Sequence, residues 1–335
     1  MVRPYTPTER AMTMKLPANH PVSLIPFHVT VARTETLSPH FRRIVFRSPD
    51  LKIFADAGYD ERIKIILPLP DGSVPDPSFF EVATDVPLGW LQEWRALPTE
   101  RRNPMRTYTV RALRPEIGEM DVDFVIHDPS GPAGTFAEQA KPGDKAVIIG
   151  PDGRVGGQVP GLDFHPGQSR HILLAGDETA VPAIAAIMES LVRDQWQGDG
   201  VVVIEVPTEE DRLPLQTPEG IRVIWTVRDE SGHGHALTEA MHNLLDDLPV
   251  HSDSDEAAQS SKEFKEIDID RELLWETSDS AEADTVIQTD DLYAWIAGEA
   301  ATVRDLRRML VRDHGMDRRS VSFMGYWRQG RSEMS

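Results

Sequence analysis

The chain has 335 residues, 40% of them hydrophobic, and its 55 acidic residues outnumber its 35 lysines and arginines to give a net charge of -20. That charge would repel the phosphates of nucleic acids, and no apolar run approaches the roughly 20 residues of a membrane-spanning helix. The absence of cysteine excludes disulfides, thiolate zinc sites and iron–sulfur clusters, so redox chemistry would have to come from a bound organic cofactor or from a metal carried by the substrate.

The first part of the chain has the pattern of an antiparallel β-barrel. Its predicted strands are short, several alternate polar and apolar residues, and proline or glycine stands at their ends. Residues 1–25 are interpreted as a flexible tail, because they carry early charges and lack the apolar region of a secretory signal, and 26–152 as the barrel domain. The predicted strands span 27–33, 41–47, 63–67, 106–113, 119–127 and 145–149, and a short helix spans 88–97.

The segment Arg106–Arg111, with the sequence Arg-Thr-Tyr-Thr-Val-Arg, alternates cationic, hydroxyl and aromatic side chains. On a strand, residues two apart point to the same side, so Arg106 and Tyr108 face one way and the two threonines the other. An arginine suits a diphosphate, a tyrosine ring can lie against an isoalloxazine, and Thr109 can reach ring nitrogens. The segment therefore fits a flavin site, and an amphipathic strand with surface arginines is the alternative.

A turn that opens a helix follows the strand ending at His127. The segment Gly131–Ala137 begins with glycine and proline, as helix starts often do. A helix N-terminus reached through glycine presents free N–H groups and the positive end of the helix dipole, which suits a phosphate. An ordinary capped helix is the alternative.

From His171 onward, apolar strands alternate with helices, which indicates a parallel sheet covered by helices. In 171–184 a strand ends in a glycine turn and a helix with proline near its start, the unit that binds nucleotides at the carboxyl end of such a sheet. It lacks the G-x-G-x-x-G pattern, so alone it is a weak signal. We assign 165–331 to this domain, with strands at 171–175, 201–206, 221–226, 292–297 and 321–327 and helices at 181–195, 236–245 and 302–314.

The acidic charge is concentrated in one stretch of this second domain. Residues 246–291 contain 16 acidic and 3 basic residues, and 252–261 carry too little apolar surface to fold alone. We interpret about 248–285 as an insertion, either a solvated surface excursion or an arm that docks a partner. A docked piece within it would comprise Phe264, Ile267, Ile269, Leu273, Leu274 and Trp275.

Four segments, taken in order, resemble the siderophore-interacting protein family, the flavin-dependent ferric-siderophore reductases of the ferredoxin-reductase-like superfamily. They are Arg106–Arg111, Gly131–Ala137, Gly176–Ile184 and Phe323–Arg331, of which the last two carry the more specific motifs. For the last segment alone, a C-terminal core strand is the alternative. The resemblance implies an N-terminal antiparallel flavin-binding β-barrel followed by a C-terminal parallel-sheet NAD(P)-binding domain, with the cofactor in the groove between them.

The resemblance also implies a reaction and a set of site residues. NADPH or NADH would reduce FAD, and FAD would pass single electrons to the iron of a ferric siderophore. Tyr108 and Thr109, beside the flavin ring, would be the catalytic residues, and Phe136 stands where the family has tryptophan. The implied FAD-binding residues are Arg106, Tyr108, Thr109, Arg111, His127, Gly134, Thr135, Phe136 and Ala137, and the implied nucleotide-binding residues are Gly176, Asp177, Glu178, Thr179 and Ala180.

Lys64 matches a family position near the flavin edge, inside the predicted strand 63–67. Attraction to the catecholate or hydroxamate oxygens around the iron would explain a lysine at this place, and a strand lysine turned to solvent is the rival explanation. Lys64 is therefore the expected substrate-binding residue.

The choice of nucleotide is open in the sequence. Glu205, at the end of the second strand of the domain, suits a ribose 2′-hydroxyl, whereas Arg212 and Arg228 suit a 2′-phosphate. The family resemblance favours NADPH. No protein metal site is predicted, because His233-Gly234-His235 lacks a spaced third ligand.

Two other functions are compatible with the same motifs. One is a flavin reductase that donates electrons to a protein partner, and the other is a siderophore-binding protein without catalysis. In each case we expect a cytoplasmic monomer that neither binds nucleic acid nor spans a membrane.

Overall fold

The structure is a computed structural model that describes residues 22–81, 88–127, 130–247, 267, 269, 274–277, 287 and 291–330. Several predictions concern residues outside this part of the chain: most of the predicted tail, the acidic residues 252–261, and Phe264 and Leu273 of the predicted docked piece.

Within the described residues, seven antiparallel strands form the sheet of the first domain in the order β4-β3-β7-β1-β2-β6-β5. The ends of the sheet approach each other, because β4 contacts β6, so the sheet curls into the predicted barrel. Strand β1 begins two residues inside the predicted tail. The strands are β1 Leu24–Thr36, β2 Phe41–Arg47, β3 Arg62–Ile66, β4 Met105–Thr109, β5 Ala112–Arg114, β6 Glu119–Val125 and β7 Lys145–Pro151, with helices α1 Trp90–Ala96 and α2 Pro132–Gln139 and 3-10 turns Pro49–Ile53, Pro77–Phe80 and Thr99–Arg101.

The two faces of the barrel wall pack into different clusters. Ile63 and Ile65 of β3 lie in the barrel interior with the partly buried ring of Tyr108, whereas Met105 packs on the outer face under Trp90 and Trp94. Tyr108 and Met105 therefore lie on opposite sides of β4, as the two-residue period of a strand requires.

The predicted strand 106–113 is wrong at its centre, where the structure breaks it into β4 and β5. The N–H of Val110 bonds the carbonyl of Glu61 (2.9 Å), while the N–H of Arg111 bonds the carbonyl of Asp121 (3.0 Å). The chain thus leaves the edge pairing with β3 and joins β6, which brings the two ends of the sheet together. This change of partner depends on tertiary pairing, which a local residue pattern does not encode.

The described part of the second domain contains a six-stranded sheet in the order β10-β9-β8-β12-β13-β11, parallel except for β11. The short strand β11 was not predicted. The helix predicted at 302–314 begins earlier and changes to a π-helical turn over Arg308–Asp313. The strands are β8 His171–Gly176, β9 Asp199–Val206, β10 Ile221–Val227, β11 Trp275–Glu276, β12 Leu292–Glu299 and β13 Val321–Trp327, the helices α3 Val181–Arg193, α4 His235–Asp247 and α5 Ala300–Arg307, and the 3-10 turns Glu178–Ala180, Glu209–Asp211 and Arg318–Ser320.

Helices cover both faces of this sheet. Alternate residues of β8 pack to opposite sides: Leu174 contributes to the cluster that contains α3, and Leu173 to the cluster that contains α4 and α5. Because β9 and β12 lie on either side of β8, the strand order reverses between β8 and β12. The carboxyl ends of strands at such a switch point form the ligand crevice of doubly wound sheets.

Hydrogen bonds and an ion pair join the two domains. Asp211 accepts hydrogen bonds from the Ser38 hydroxyl (2.6 Å) and the His40 N–H (3.0 Å), and its second oxygen lies 2.7 Å from His40 Nδ1. Arg111 donates two hydrogen bonds to Glu189 of α3, at 2.7 and 2.6 Å. A guanidinium held in this fork geometry fixes orientation as well as distance.

The barrel domain also supplies buried groups to the core of the second domain. Phe41 is fully buried in the cluster that contains α3. Asp60 is fully buried as well, and it accepts hydrogen bonds from Trp295 Nε1 (2.9 Å) and from the N–H groups of Asp163 and Phe164. Burial raises the pKa of Asp60 to about 6, so the carboxyl is partly protonated in weakly acidic solution.

Trp275 fixes the middle of the acidic stretch at this junction. Its ring stacks on Tyr326 with centroids 5.7 Å apart, and the guanidinium of Arg62 lies 4.4 Å from the ring centroid. Its Nε1 donates to Asp163 (3.3 Å), and the neighbouring Leu274 is buried in the core. These two residues of the predicted docked piece are therefore part of the folded domain.

In the part of the chain that the structure describes, no helix combines the length and the apolar content needed to cross a bilayer.

Candidate functional site

Asp177 ties together the strand ends at the switch point. One carboxylate oxygen accepts the N–H of Thr179 (2.9 Å), and the other accepts the N–H of Glu299 (2.7 Å) and Nε1 of Trp327 (2.8 Å). These donors follow β8, end β12 and end β13, so one side chain fixes the relative positions of three elements. Asp177, predicted to bind the nucleotide, thus uses its carboxylate to build the crevice.

Gly176, at the end of β8, allows the close approach of backbone that the crevice needs. A Cβ at this position would lie 2.5 Å from the carbonyl oxygen of Ala297 and 2.5 Å from Cβ of Ala180. Both distances are below any real Cβ contact, so no larger residue fits without moving β12 or the following turn. The predicted residues from Gly176 to Ala180 therefore lie together at the switch point.

Glu178 is fully buried directly after Asp177. Its Oε2 accepts a hydrogen bond from Nη2 of Arg228 (2.5 Å), while among the described residues its Oε1 has no hydrogen-bond partner. Burial raises the pKa of Glu178 to about 8, since removal from water outweighs the opposing effect of the guanidinium. A neutral carboxylic acid is therefore the main form near pH 7.

The structure gives Glu205 and the two arginines roles that differ from the sequence interpretation. Glu205 is fully buried and accepts the N–H groups of Gly234 (2.9 Å) and Leu237 (3.0 Å), so it caps α4 and is not placed for a ribose hydroxyl. Arg228 bridges Glu178 and Glu205, and Arg212 is paired with Glu209 at 2.7 Å. Glu178 and Glu205 are distant from Arg228 in the sequence, so a local pattern could not reveal these pairs, whereas Glu209 is only three residues from Arg212.

Two imidazoles and an indole form the wall of the crevice. Trp327 lies between His127, two residues after the barrel strand β6, and His233, with ring centroids 5.7 and 5.0 Å away. Burial lowers the pKa of both histidines, so they are neutral at pH 7. His233 Nδ1 is buried and has no hydrogen-bond partner among the described residues. His127 thus brings the barrel domain to the nucleotide side of the groove.

The aromatic residues predicted to contact the flavin lie close together in the barrel. Tyr108 and Phe124 have ring centroids 4.2 Å apart, and Phe136 of α2 is 6.2 Å from Phe124. Arg106 shares the Tyr108 side of β4, and its Nη1 donates to the Met105 carbonyl (2.8 Å). A cation and an aromatic platform are therefore combined on one side of the strand, while Thr109 is buried on the other.

Helix α2 begins at the extended residue Gly131, as the sequence predicts. The N–H of Thr135 already bonds the Gly131 carbonyl (2.9 Å), so the N–H groups available to a diphosphate are those of Gly131, Ala133 and Gly134. Ala137 is fully buried against the barrel core, one turn too late for such a contact. Because its N–H is already bonded within the helix, Thr135 could contact a diphosphate only through its hydroxyl.

Two predicted residues have protein partners in the structure. Arg111 is held by Glu189 and lies 3.7 Å from Asp123, so its guanidinium joins the domains and is not directed at a phosphate. Lys64 is exposed on the outer face of β3, and its Nζ donates to the Thr107 hydroxyl at 2.5 Å. Lys64 therefore neighbours the Arg-Thr-Tyr-Thr segment on the side away from the barrel interior.

The residues present fit the two cofactors that the motifs imply. For a flavin, the barrel offers the Tyr108 ring, the Arg106 cation and the start of α2, where a Cβ on Gly131 would meet only open space. For a nicotinamide nucleotide, the crevice offers two buried polar atoms that lack partners within the described chain, Glu178 Oε1 and His233 Nδ1. Buried orphan atoms of this kind mark places where a ligand or water completes the hydrogen bonding.

The structure brings together residues that the sequence patterns did not connect: Arg228 with both Glu178 and Glu205, and Trp327 with both His127 and His233. The only sequence signal for Trp327 was its place in the Gly-Tyr-Trp-Arg motif, which gave this residue no role in the site.

Comparison with known proteins gives two family matches. Residues 30–155 match the siderophore-interacting FAD-binding domain, and 169–330 match the siderophore-interacting protein domain. The chain is 26% identical to the ferric vibriobactin reductase ViuB of Vibrio cholerae, covering 90% of this chain and 89% of that protein. It is 26% identical to the NADPH-dependent ferric-chelate reductase of Escherichia coli, covering 89% and 91%. The crystal structure of the siderophore-interacting protein SipS from Aeromonas hydrophila shares 30% identity, with a TM-score of 0.59 and 95% of each chain covered.

Proposed function

The chain belongs to the siderophore-interacting protein family, and from this membership we propose that it is a flavoprotein that transfers electrons from NAD(P)H through FAD to the iron of a ferric siderophore. The observation that carries the proposal is the contact at which His127 of the barrel domain meets Glu178 and Trp327 of the second domain. Two relatives named as ferric-complex reductases support the same reaction.

The reaction divides into two halves that balance. Over both halves one NAD(P)H would lose two electrons and leave as NAD(P)⁺, two ferric ions would gain one electron each, and one proton would be released, with bound FAD linking the two halves. FAD supplies the conversion from two-electron to one-electron chemistry, so the protein has to position, shield and provide protons. Ferrous iron is held less tightly by the hard oxygen donors of a siderophore, so reduction favours release.

Each part of the groove has a distinct task in this proposal. Arg106 and the first-turn N–H groups of α2 would hold the FAD diphosphate and Tyr108 would lie against the flavin ring, whereas Thr109 is buried on the opposite side of β4. The crevice at Gly176 and Asp177 receives the nucleotide, either NADPH or NADH. Since Arg228 and Arg212 already have carboxylate partners, a 2′-phosphate would have to displace one of these pairs.

The absorbance spectrum of the purified protein tests this function. We expect a yellow protein with the bands of oxidised FAD, which bleach when NADPH or NADH is added without oxygen and return when a ferric siderophore follows. A ferrous-specific chelator should capture the released iron. Colourless protein that binds the ferric complex would indicate a non-catalytic binder, and bleaching without turnover of any ferric siderophore would indicate a reductase for a protein acceptor.

Replacement of Lys64 is expected to slow the iron half-reaction selectively. If the Lys64 ammonium attracts an anionic ferric complex, Lys64→Ala lowers the rate of siderophore reduction and leaves hydride transfer to FAD unchanged. The effect should shrink with added salt, because the Debye length is about 10 Å at 0.1 M, and it should be larger for anionic catecholates than for neutral hydroxamates. Stopped-flow traces of the two half-reactions measure both rates.

Lys52→Ala provides the control, because Lys52 is also an exposed lysine of the barrel domain but lies in a 3-10 turn away from β3. Equal slowing of both half-reactions in Lys64→Ala would show a structural role for the lysine. If neither half-reaction changes in Lys64→Ala, Lys64 is a surface lysine without a role in the reaction.

A further inference from the structure

Glu178 has one oxygen that the folded protein does not use. Its Oε2 is bound to Arg228, whereas Oε1 is buried and lacks a hydrogen-bond partner among the described residues. Leaving a buried polar atom unpaired costs about 1–3 kcal/mol, so such an atom calls for a functional explanation. In this protein the orphan oxygen lies where the two domains meet, near His127 of the barrel domain.

A titratable group of the other domain lies near that oxygen. His127 Nδ1 lies 3.7 Å from Glu178 Oε1, slightly beyond hydrogen-bond distance, and the His127 side chain is 42% exposed. A small rotation of the imidazole closes the gap. The pair therefore connects a fully buried carboxyl to a ring that reaches the open groove, where the proposed function places the flavin.

The surroundings of the pair determine which of the two groups carries a proton, and the transferable proton is on Glu178. Arg228 and Asp177 face Glu178, while Asp177, His233, Arg228 and His40 act on His127. Burial is the largest influence on each group: it raises the pKa of Glu178 to about 8 and lowers that of His127. Near pH 7 the pair accordingly consists of a neutral carboxylic acid and a neutral imidazole.

We propose that Glu178 and His127 form a proton relay between the domain interior and the flavin groove. This inference rests on the proposed function and adds a proton path to it. In the forward direction the Glu178 O–H bond breaks and an Nδ1–H bond forms on His127, while His127 gives its Nε2 proton to the acceptor in the groove. In the reverse direction His127 would take up a proton from the groove at Nε2 and return its Nδ1 proton to Glu178.

The relay explains why Glu178 is buried with one oxygen bonded to Arg228 and the other without a hydrogen-bond partner among the described residues. Arg228 stabilises the carboxylate that remains after the proton has left, and the unpaired oxygen holds the proton before the transfer. Glu205, which caps α4, differs in that both of its oxygens are bonded, to the N–H groups of Gly234 and Leu237.

Histidine NMR tests the shared proton without any turnover. In protein labelled with ¹⁵N-histidine, the His127 ring signals, assigned by their loss in His127→Gln, should shift in a step near pH 8 as Glu178 ionises. Glu178→Gln keeps the shape of the side chain and should abolish that step. A step that persists in Glu178→Gln, or its absence in the unmodified protein, would overturn the relay.

Kinetics of the FAD-loaded protein form the second arm. At pH 7, Glu178→Gln should lower the rate of ferric-chelate reduction about 100-fold, the low end for loss of a general acid–base, with flavin content unchanged. Glu230→Gln is the matched control, because Glu230 is exposed two residues after Arg228. An undiminished rate in Glu178→Gln would contradict the relay, whereas failure of the unmodified protein to bind FAD would contradict the proposed function and leave the NMR result to decide whether the pair shares a proton.

Discussion

Arg106→Ala is expected to weaken FAD binding by about 10- to 150-fold. A hydrogen bond to a charged group contributes about 1.5–3 kcal/mol, and the guanidinium offers such a bond to the diphosphate from the same side of β4 as the Tyr108 ring. The dissociation constant, measured by fluorescence as apoprotein is titrated into FAD, reports the change. Thermal melts of the apoprotein should be nearly unaffected, since Arg106 is only partly buried.

Two further variants separate charge from geometry at this position. Arg106→Lys retains the charge but loses the planar fork, so its affinity should lie between those of the unmodified protein and the alanine variant. Arg222→Ala removes an exposed arginine on β10 and should leave FAD binding unchanged. Full flavin affinity in Arg106→Ala would remove Arg106 from the site.

Trp275→Ala is expected to destabilise the protein by about 3 kcal/mol. Truncation of a packed tryptophan costs about 3–5 kcal/mol, and Trp275 is only partly buried, which places it at the lower limit. The variant loses the stack on Tyr326 and the contact with the Arg62 guanidinium. Urea unfolding followed by circular dichroism measures the free energy of unfolding.

Trp275→Phe distinguishes the ring from its N–H group. Phenylalanine keeps an aromatic face for Tyr326 and Arg62 but cannot donate to Asp163, so a loss of about 1 kcal/mol is expected. If Trp275→Ala unfolds at the same urea concentration as the unmodified protein, the acidic segment is not anchored at this point.

Regular elements could be predicted from the sequence because their periodic patterns are local. The strand predicted at 41–47 coincides with β2, and the strand at 321–327 coincides with β13, since each carries an apolar pattern bounded by turn residues. The two-residue strand β11 has no such pattern. It exists because Trp275 and Glu276 pair with β13 and Arg307 binds Glu276, which are tertiary contacts.

Those parts of the site in which a local motif determines the backbone conformation could be predicted from the sequence. The roles of side chains whose hydrogen-bond partners come from distant segments could not. Gly176 and the start of α2 follow from local turn chemistry. Arg111 resembles a phosphate ligand in sequence, but Glu189, 78 residues away, occupies its guanidinium. Glu205 likewise resembles a ribose ligand until the fold places the N-terminus of α4 against it.

The interlocked domain boundary has a consequence for synthesis on the ribosome. Strand β7, which lies between β1 and β3, completes the barrel sheet at Pro151, yet Phe41 is buried in a cluster formed mainly by residues of the second domain, the last of which is Met324. At about 5–20 residues per second, translation of the intervening segment takes roughly 10–35 s. Throughout that interval the nascent barrel exposes to solvent a phenylalanine that the complete chain buries, so the need for a chaperone should last until the second domain has been made.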